Sequence, residues 1–498
     1  IFKKIPGTPS YWKGFRNEIF ARMEQFGPFH IFFTLSCAEA KWNNVLASVL
    51  QKDGHKVVLE KDNPDDRFSS CTYYIDDEKI PLDEYRKKIR SMTEILKRHY
   101  ILITRMFDDK VKAFFKNILT NHKVAYYSYR IEFQARGMPH VHGVFWLPSE
   151  YTKDFMANED FDKEKVTNLI DEWISVSTDT GDESLNDLVK EVNMHKHTKS
   201  CKKYGTTCRF NFPKLPSYET LIASPLPESM PEEERDQKLS FAKGILDKVK
   251  DFLIDLKDED CNLTLNDLLK CLKIDYDDYL AALKISHKGE VVIMKRRIQE
   301  RNINNYNPCF IKALEANMDI QFVSDLHAVV TYVTDYFSKD DEELTKVMKA
   351  SLKETVHCDD FERLNHMKKT YFTHRLVNVA EATYGLIAGM DLKGSNVGTT
   401  FVSSGFPQNR HKRVYKVDGD DEEDQMTQSQ VTETFSLEGR IGKFTVATTV
   451  HEKYAQRPGC LEQMCLAQFA TVYQNSPIPE GTQFDNGASV EKGSLNLY

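Results

Sequence analysis

What the sequence lacks narrows the field before any motif is read. Its 10 cysteines are scattered over 498 residues, so reduced thiols with at most one metal site are expected, not a disulfide framework. No run is long and apolar enough to span a bilayer, and no secretory signal opens the chain, so no membrane partner is expected and a soluble intracellular protein is. Excess positive charge is missing too. The formal net charge of -8 argues against indiscriminate nucleic-acid binding, while leaving room for a local basic groove. There is no internal repeat. The stretch GMDLKGSN at Gly389 begins like a phosphate loop, but Ser395 stands where the lysine belongs, so no nucleotide-triphosphate motor is expected. The chain opens on Ile1, without an initiator Met, and is expected to be a segment of something longer.

What is present is organised around Tyr126 to Leu147, YYSYRIEFQARGMPHVHGVFWL. It reads as two alternating strands joined by a turn. Tyr127, Tyr129, Ile131 and Phe133, with Val141, Phe145 and Leu147, fall on one apolar face. Arg130, Glu132, Gln134, His140 and His142 fall on the other. With Ala135 to Pro139 as the loop, Gln134 sits opposite His140 and Glu132 opposite His142. Opposed residues lie roughly 4.5 to 5.5 Å apart at Cβ, and two imidazoles with one carboxylate or amide oxygen suit a divalent cation with open positions.

The length allows about three domains, and 41% apolar residues support ordinary cores. A helix is expected from Tyr11 to Gln25, a buried strand over Ile31 to Cys37, and mainly helix from Tyr85 to His122. Residues 1–150 form the first part of a core, 151–305 a charged, mainly helical insertion, and 306–345 the second part, with a strand at MDIQFV. An accessory α/β segment (346–417), an acidic linker (418–434, with DGDDEED) and a C-terminal segment (435–498) follow.

Two further patterns carry chemistry. On the expected helix Asp325 to Lys339, Tyr332, Tyr336 and Lys339 share a stripe beside an apolar one. Phenols near a cation and a lysine can be activated against phosphorus; core-edge tyrosines with wet hydroxyls are the plainer alternative. In HKHTKSCKKYGTTCRF, His195, His197, Cys201 and Cys208 offer a tetrahedral zinc set, although neither common finger spacing is matched. The same loop carries Lys196, Lys199, Lys202, Lys203, Arg209 and Lys214 among Tyr204, Phe210 and Phe212, a surface suited to phosphates and bases.

Taken together, these residues resemble the replication-initiator (HUH endonuclease) region of Helitron rolling-circle transposases. IFFTLSCAEAKW resembles the family's first motif, EFQARGMPHVH its metal motif and TYVTDYFSK its two-tyrosine motif. CRFNFP, NNYNP and MDIQFV resemble connecting landmarks, and HEKYAQRPGCLEQMCLAQFATVY the stretch that precedes the helicase.

The resemblance implies an α+β fold, an antiparallel-sheet HUH-endonuclease core with the tyrosine helix beside it and the helical insertion carrying the zinc loop. It implies that His140 and His142, with Gln134 or Glu132 as third ligand, hold Mg²⁺ or Mn²⁺ against a phosphate of single-stranded DNA at transposon ends and targets. One tyrosine then attacks, the other serves a second strand, and Lys339 assists. Thr34, Ser36, Arg130, Lys202, Lys203 and Arg209 are the candidate DNA contacts. A helicase must come from a region outside this chain or from another protein, and a nuclear location follows from the family's eukaryotic setting. The alternative is a domesticated or inactive DNA-binding protein derived from such an element.

Overall fold

The computed structural model describes residues 9–61, 71–75, 80–82, 84–85, 96, 98–121, 123–133, 138–148, 163–198, 201, 208–256, 263–286, 289–323, 342–374, 377–395, 414–416, 432–437, 440–446, 450–455, 457, 459–466 and 469–470. The expected tyrosine stripe lies outside them, as does the acidic run DGDDEED; residues 432–434, placed in the expected linker, open a strand instead. The chain divides into two units, Ile1–Ser395 and Asn396–Tyr498.

In the first unit the strands are β1 (Ile31–Ser36), β2 (Val57–Lys61), β3 (Cys71–Ile75), β4 (Ile80–Pro81), β5 (Tyr126–Phe133), β6 (Pro139–Trp146), β7 (Leu221–Pro225), β8 (Ile285–Ser286), β9 (Val291–Ile293), β10 (Met318–Phe322) and β11 (Lys393–Gly394). The central sheet runs β10-β1-β6-β5-β11, with every neighbour antiparallel. Two smaller sheets run β2-β3-β4 and β8-β7-β9. The fold is therefore mixed α+β with antiparallel sheets, the β7–β8 pair alone among the described pairings being parallel.

Period-two alternation sorts the central sheet. Phe33, Tyr129, Ile131, Val141 and Phe145 are buried on one face. The helix Tyr100–Asn121 lies against them, stacking Phe115 on Tyr129 with ring centroids 4.1 Å apart. Each such large side chain taken fully from water contributes about 1.5–3 kcal/mol. Gly143 belongs to this face, and a Cβ there would collide with the Phe33 ring, which stacks on Phe145 at 4.4 Å.

The expected register of the hairpin needs correction. Phe133 pairs with Pro139, Glu132 with His140 and Arg130 with His142, so Pro139 opens the return strand where a loop residue was expected. Proline is tolerated as a first strand residue, where its missing N–H is not needed, and its carbonyl accepts the Cys37 N–H at 3.2 Å. The slip is two residues, so every side chain keeps its expected face.

The stretch expected to be a helical insertion contributes to two cores. Its helices Lys163–Trp173 and Glu183–Val192 bury Ile170, Trp173, Leu185 and Val189 in the core of the central sheet. Its later helices, Glu232–Asp255, Leu265–Leu272 and Tyr276–Leu283, build a separate cluster around Val249, Leu268 and Tyr279. The small sheet β8-β7-β9 was not foreseen, because its strands are only two to five residues long and carry too few alternations to register as a pattern.

GMDLKGSN folds as an edge, not as a phosphate loop. Lys393–Gly394 pairs with Tyr129 and Ser128, the Ser395 N–H donates to the Tyr127 carbonyl at 3.0 Å, and the Ser395 hydroxyl accepts the Tyr127 N–H at 3.0 Å. A Cβ on Gly394 would meet the Tyr127 carbonyl, which accounts for glycine there.

The second unit contains β12 (Val414–Lys416), β13 (Thr432–Leu437) and β14 (Arg440–Val446), in the order β12-β14-β13. A short helix, Val450–Ala455, follows. Among the described residues, no helix is long and apolar enough to cross a membrane.

Candidate metal centre

The second face of the central sheet divides in two. At one end Val144 and Trp146 join Ile19, Phe29 and Val323 in an apolar cluster, and the Trp146 indole N–H donates to the Gly27 carbonyl at 2.8 Å. The cover is the helix Pro9–Phe26, which extends the expected Tyr11–Gln25 by two residues in front and one behind. Phe26 stacks on Tyr126 at 4.0 Å, and Arg22 Nη1 donates to the Ser128 hydroxyl at 2.7 Å.

At the other end the face turns polar, and pairing sets the residues in rows. Asp319 pairs with Thr34, Thr34 with His142, and His142 with Arg130. In the next row Ser36 pairs with His140, which pairs with Glu132. Thr34 and Ser36 thus flank the two histidines from β1, as their alternation predicts. Asp319 was not singled out from the sequence; the signal was the alternation of MDIQFV, which puts Asp319 and Gln321 on one face.

Although Glu132 faces His140 across the ladder, its carboxylate reaches diagonally to His142, Oε2 lying 2.9 Å from Nε2. The two side chains are 18% and 7% exposed. His140 is pushed down to about 4, chiefly by burial and further by neighbouring His142, while Glu132 opposes the shift. A neutral imidazole offers a lone pair to a cation. Gln134, the other expected third ligand, lies outside the described residues, as do Tyr332, Tyr336 and Lys339. The chain leaves β10 at Val323, whose N–H donates to the His30 carbonyl at 2.8 Å, and the two-tyrosine stretch follows directly in sequence.

Arg130 was expected to reach DNA. It is buried instead, with its guanidinium carbon 3.5 Å from the centre of the Trp12 ring, a cation–π contact supplied by the N-terminal helix. Asp319 has its carboxyl pushed up by burial, with Gln321 and Lys214 pulling it back; Gln321 Nε2 donates to it at 2.9 Å.

The His/Cys loop is assembled in the same unit. His195, His197, Cys201 and Cys208 each bring a ligand atom, all within 4.8 Å of one another. Both cysteines are buried and free. His195 stacks on Phe212 at 4.4 Å. Of the basic residues, Arg209 is exposed, its guanidinium 4.6 Å from the Phe210 ring centre; Lys202 and Lys203 lie outside the described residues.

No curated protein matches the chain. Residues 1–145 match the family described as "Helitron helicase-like domain at N-terminus", a span that takes in β1 and the hairpin through HVH and ends before the His/Cys loop and the two-tyrosine stretch. Over those residues the chain is similar to the N-terminal domain of Helitrons, as the sequence motifs led one to expect.

Proposed function

We propose that this protein nicks single-stranded DNA and transfers the strand, as the initiator of a rolling-circle, Helitron-like transposase. The observation that carries the reading is the polar end of the central sheet, where His140 and His142 lie on one face beside Thr34 and Ser36 and the Glu132 carboxylate meets His142. Two imidazoles, one held neutral, and one carboxylate fit Mg²⁺ or Mn²⁺. Bound there, the metal supplies charge to the phosphoryl oxygens of the scissile phosphate.

The chain's own residues do the rest. Glu132 orients the His142 ring, and the Thr34 and Ser36 hydroxyls stand in the adjacent strand to donate to the DNA backbone. One of Tyr332 and Tyr336 attacks phosphorus through its phenolate oxygen. A new O–P bond forms, the bond to the 3′ oxygen breaks, and the phenolic proton ends on the released 3′-OH. The product is a 5′-phosphotyrosine. The second tyrosine opens a further strand in the same way, and a free 3′-OH can reverse either link, so strand transfer needs no external energy. Lys339 offers a positive charge near the phenols. The partners are single-stranded transposon ends and targets, with a helicase acting alongside, in a nucleus.

The test is incubation with labelled single-stranded DNA and Mn²⁺, followed by denaturing electrophoresis. The reading expects a covalent adduct that disappears in the Tyr332→Phe, Tyr336→Phe double variant. Cleavage without an adduct would mean an activated-water hydrolase, and binding without cleavage a domesticated DNA-binding protein; either result overturns the proposal.

A further inference from the structure

The His/Cys loop is not used by the nicking chemistry, yet it is the most complete ligand set among the described residues. The sulfur of Cys208 lies 3.4 Å from His195 Nε2, and that of Cys201 lies 3.6 Å from His197 Nδ1. Around a tetrahedral zinc, with Zn–S near 2.3 Å and Zn–N near 2.0–2.1 Å, an S···N edge measures about 3.6 Å. Each thiol is thus paired with an imidazole nitrogen at the edge length of an S₂N₂ tetrahedron. The Cys201 sulfur also lies 3.2 Å from the Thr198 N–H and 3.2 Å from its carbonyl oxygen, which hold it in place. Apolar packing among the described residues does not require this convergence: the small cluster there consists of Cys201, Cys208 and Phe212.

We infer that His195, His197, Cys201 and Cys208 bind a structural Zn²⁺ that fastens the basic loop to the root of β10. Both flanks of the loop are anchored on consecutive residues. The His195 N–H donates to the Asn302 carbonyl at 2.7 Å and the Lys214 N–H to the Arg301 carbonyl at 2.8 Å. Two residues on, Asn304 Nδ2 donates to the Met318 carbonyl at 3.2 Å, where β10 begins. From the other side, Asn193 Oδ1 accepts the Met318 N–H at 2.9 Å. A metal closing the loop at four points therefore fixes Lys196 and Arg209 relative to the strand that carries Asp319 and leads to the two-tyrosine stretch. Four protein ligands leave no open position, so the site is structural rather than catalytic.

The test uses the purified chain without added Mg²⁺ or Mn²⁺. Elemental analysis is expected to find one zinc per chain, and replacement by Co²⁺ to give the thiolate charge-transfer band and the intense visible absorption of a tetrahedral site. Removing zinc with a chelator is expected to speed hydrogen exchange in residues 195–198, 208–214 and 317–323. The Cys201→Ser, Cys208→Ser variant should lose the metal, whereas a His140→Ala, His142→Ala variant should keep it, which separates this site from the sheet site. Metal-free protein that gives no thiolate band with Co²⁺, a Cys201–Cys208 disulfide in freshly purified chain, or zinc lost on changing His140 and His142 and kept on changing the cysteines would overturn the inference. The cobalt spectrum is read on the unaltered chain, so it stands even if the cysteine variant fails to fold.

Discussion

The carboxylate of Glu132 lies 2.9 Å from Nε2 of His142, although the residue directly across the ladder from it is His140. A diagonal reach of this kind fixes the ring plane of His142. Glu132→Gln is therefore expected to weaken Mn²⁺ binding by about 10- to 100-fold, the usual cost of disturbing a ligand or its orienting partner. Titration calorimetry of both forms reads this directly; unchanged affinity would move the third ligand to another residue.

Gly143 is expected to be irreplaceable for steric reasons. It sits across from Phe33, whose ring occupies the space of a side chain at this position. Gly143→Ala should cost about 1–3 kcal/mol through overpacking, measured as a lower denaturant midpoint. Because Gly143 directly follows His142, the same variant should also lose metal affinity.

Stability should depend on pH through His30. This ring is buried and pushed down to about 4, and its Nδ1 accepts the Leu147 N–H at 3.1 Å, which only the neutral ring can do. An unfolded imidazole titrates near 6.5. Between about 6.5 and 4 the unfolded chain therefore binds a proton that the folded chain refuses, so stability is full above that window and falls as pH drops through it. The shift corresponds to about 3 kcal/mol at most, with His140 adding in the same direction. His30→Gln should flatten the decline in denaturant midpoint between pH 7 and pH 4.5; an unaltered slope would contradict this assignment.

Asn193 should prove a structural hub. It is fully buried; Nδ2 donates to the carbonyls of Asn304 and Asn305 at 3.0 and 3.4 Å, and Oδ1 accepts from Asn317 Nδ2 and the Met318 N–H. Asn193→Ala removes these bonds and strands the Met318 N–H, a loss of about 2–4 kcal/mol. Hydrogen exchange should quicken at residues 317–320 before it does so in β5 and β6.

Much of this was legible in the sequence because alternation along a strand is a local property. The apolar and polar faces of β5 and β6 follow from it, and the strand at IFFTLSC follows from its β-branched and aromatic content, which is just as local. Register is not local: it depended on whether Pro139 would be used as a strand residue, which its contact with Cys37 decided. Nor could spacing show that Trp12 covers Arg130, or that Asp319 lines up with Thr34 and His142, since those neighbours are 118 or more residues apart in sequence. The His/Cys set was visible as composition, and its convergence depended on Phe212 and the 301–302 anchors. GMDLKGSN lacks the lysine of a phosphate loop, and one of its glycines is there for edge pairing with β5.

The central claim is that the cation site on the sheet serves tyrosine nucleophiles. It is tested most directly by digesting the protein–DNA adduct formed in Mn²⁺ and identifying the modified peptide by mass spectrometry. The account predicts a nucleotide joined through its 5′ phosphate to Tyr332 or Tyr336, and no adduct from the His140→Ala, His142→Ala variant. A linkage to any other residue, or an adduct that survives loss of both histidines, would contradict it.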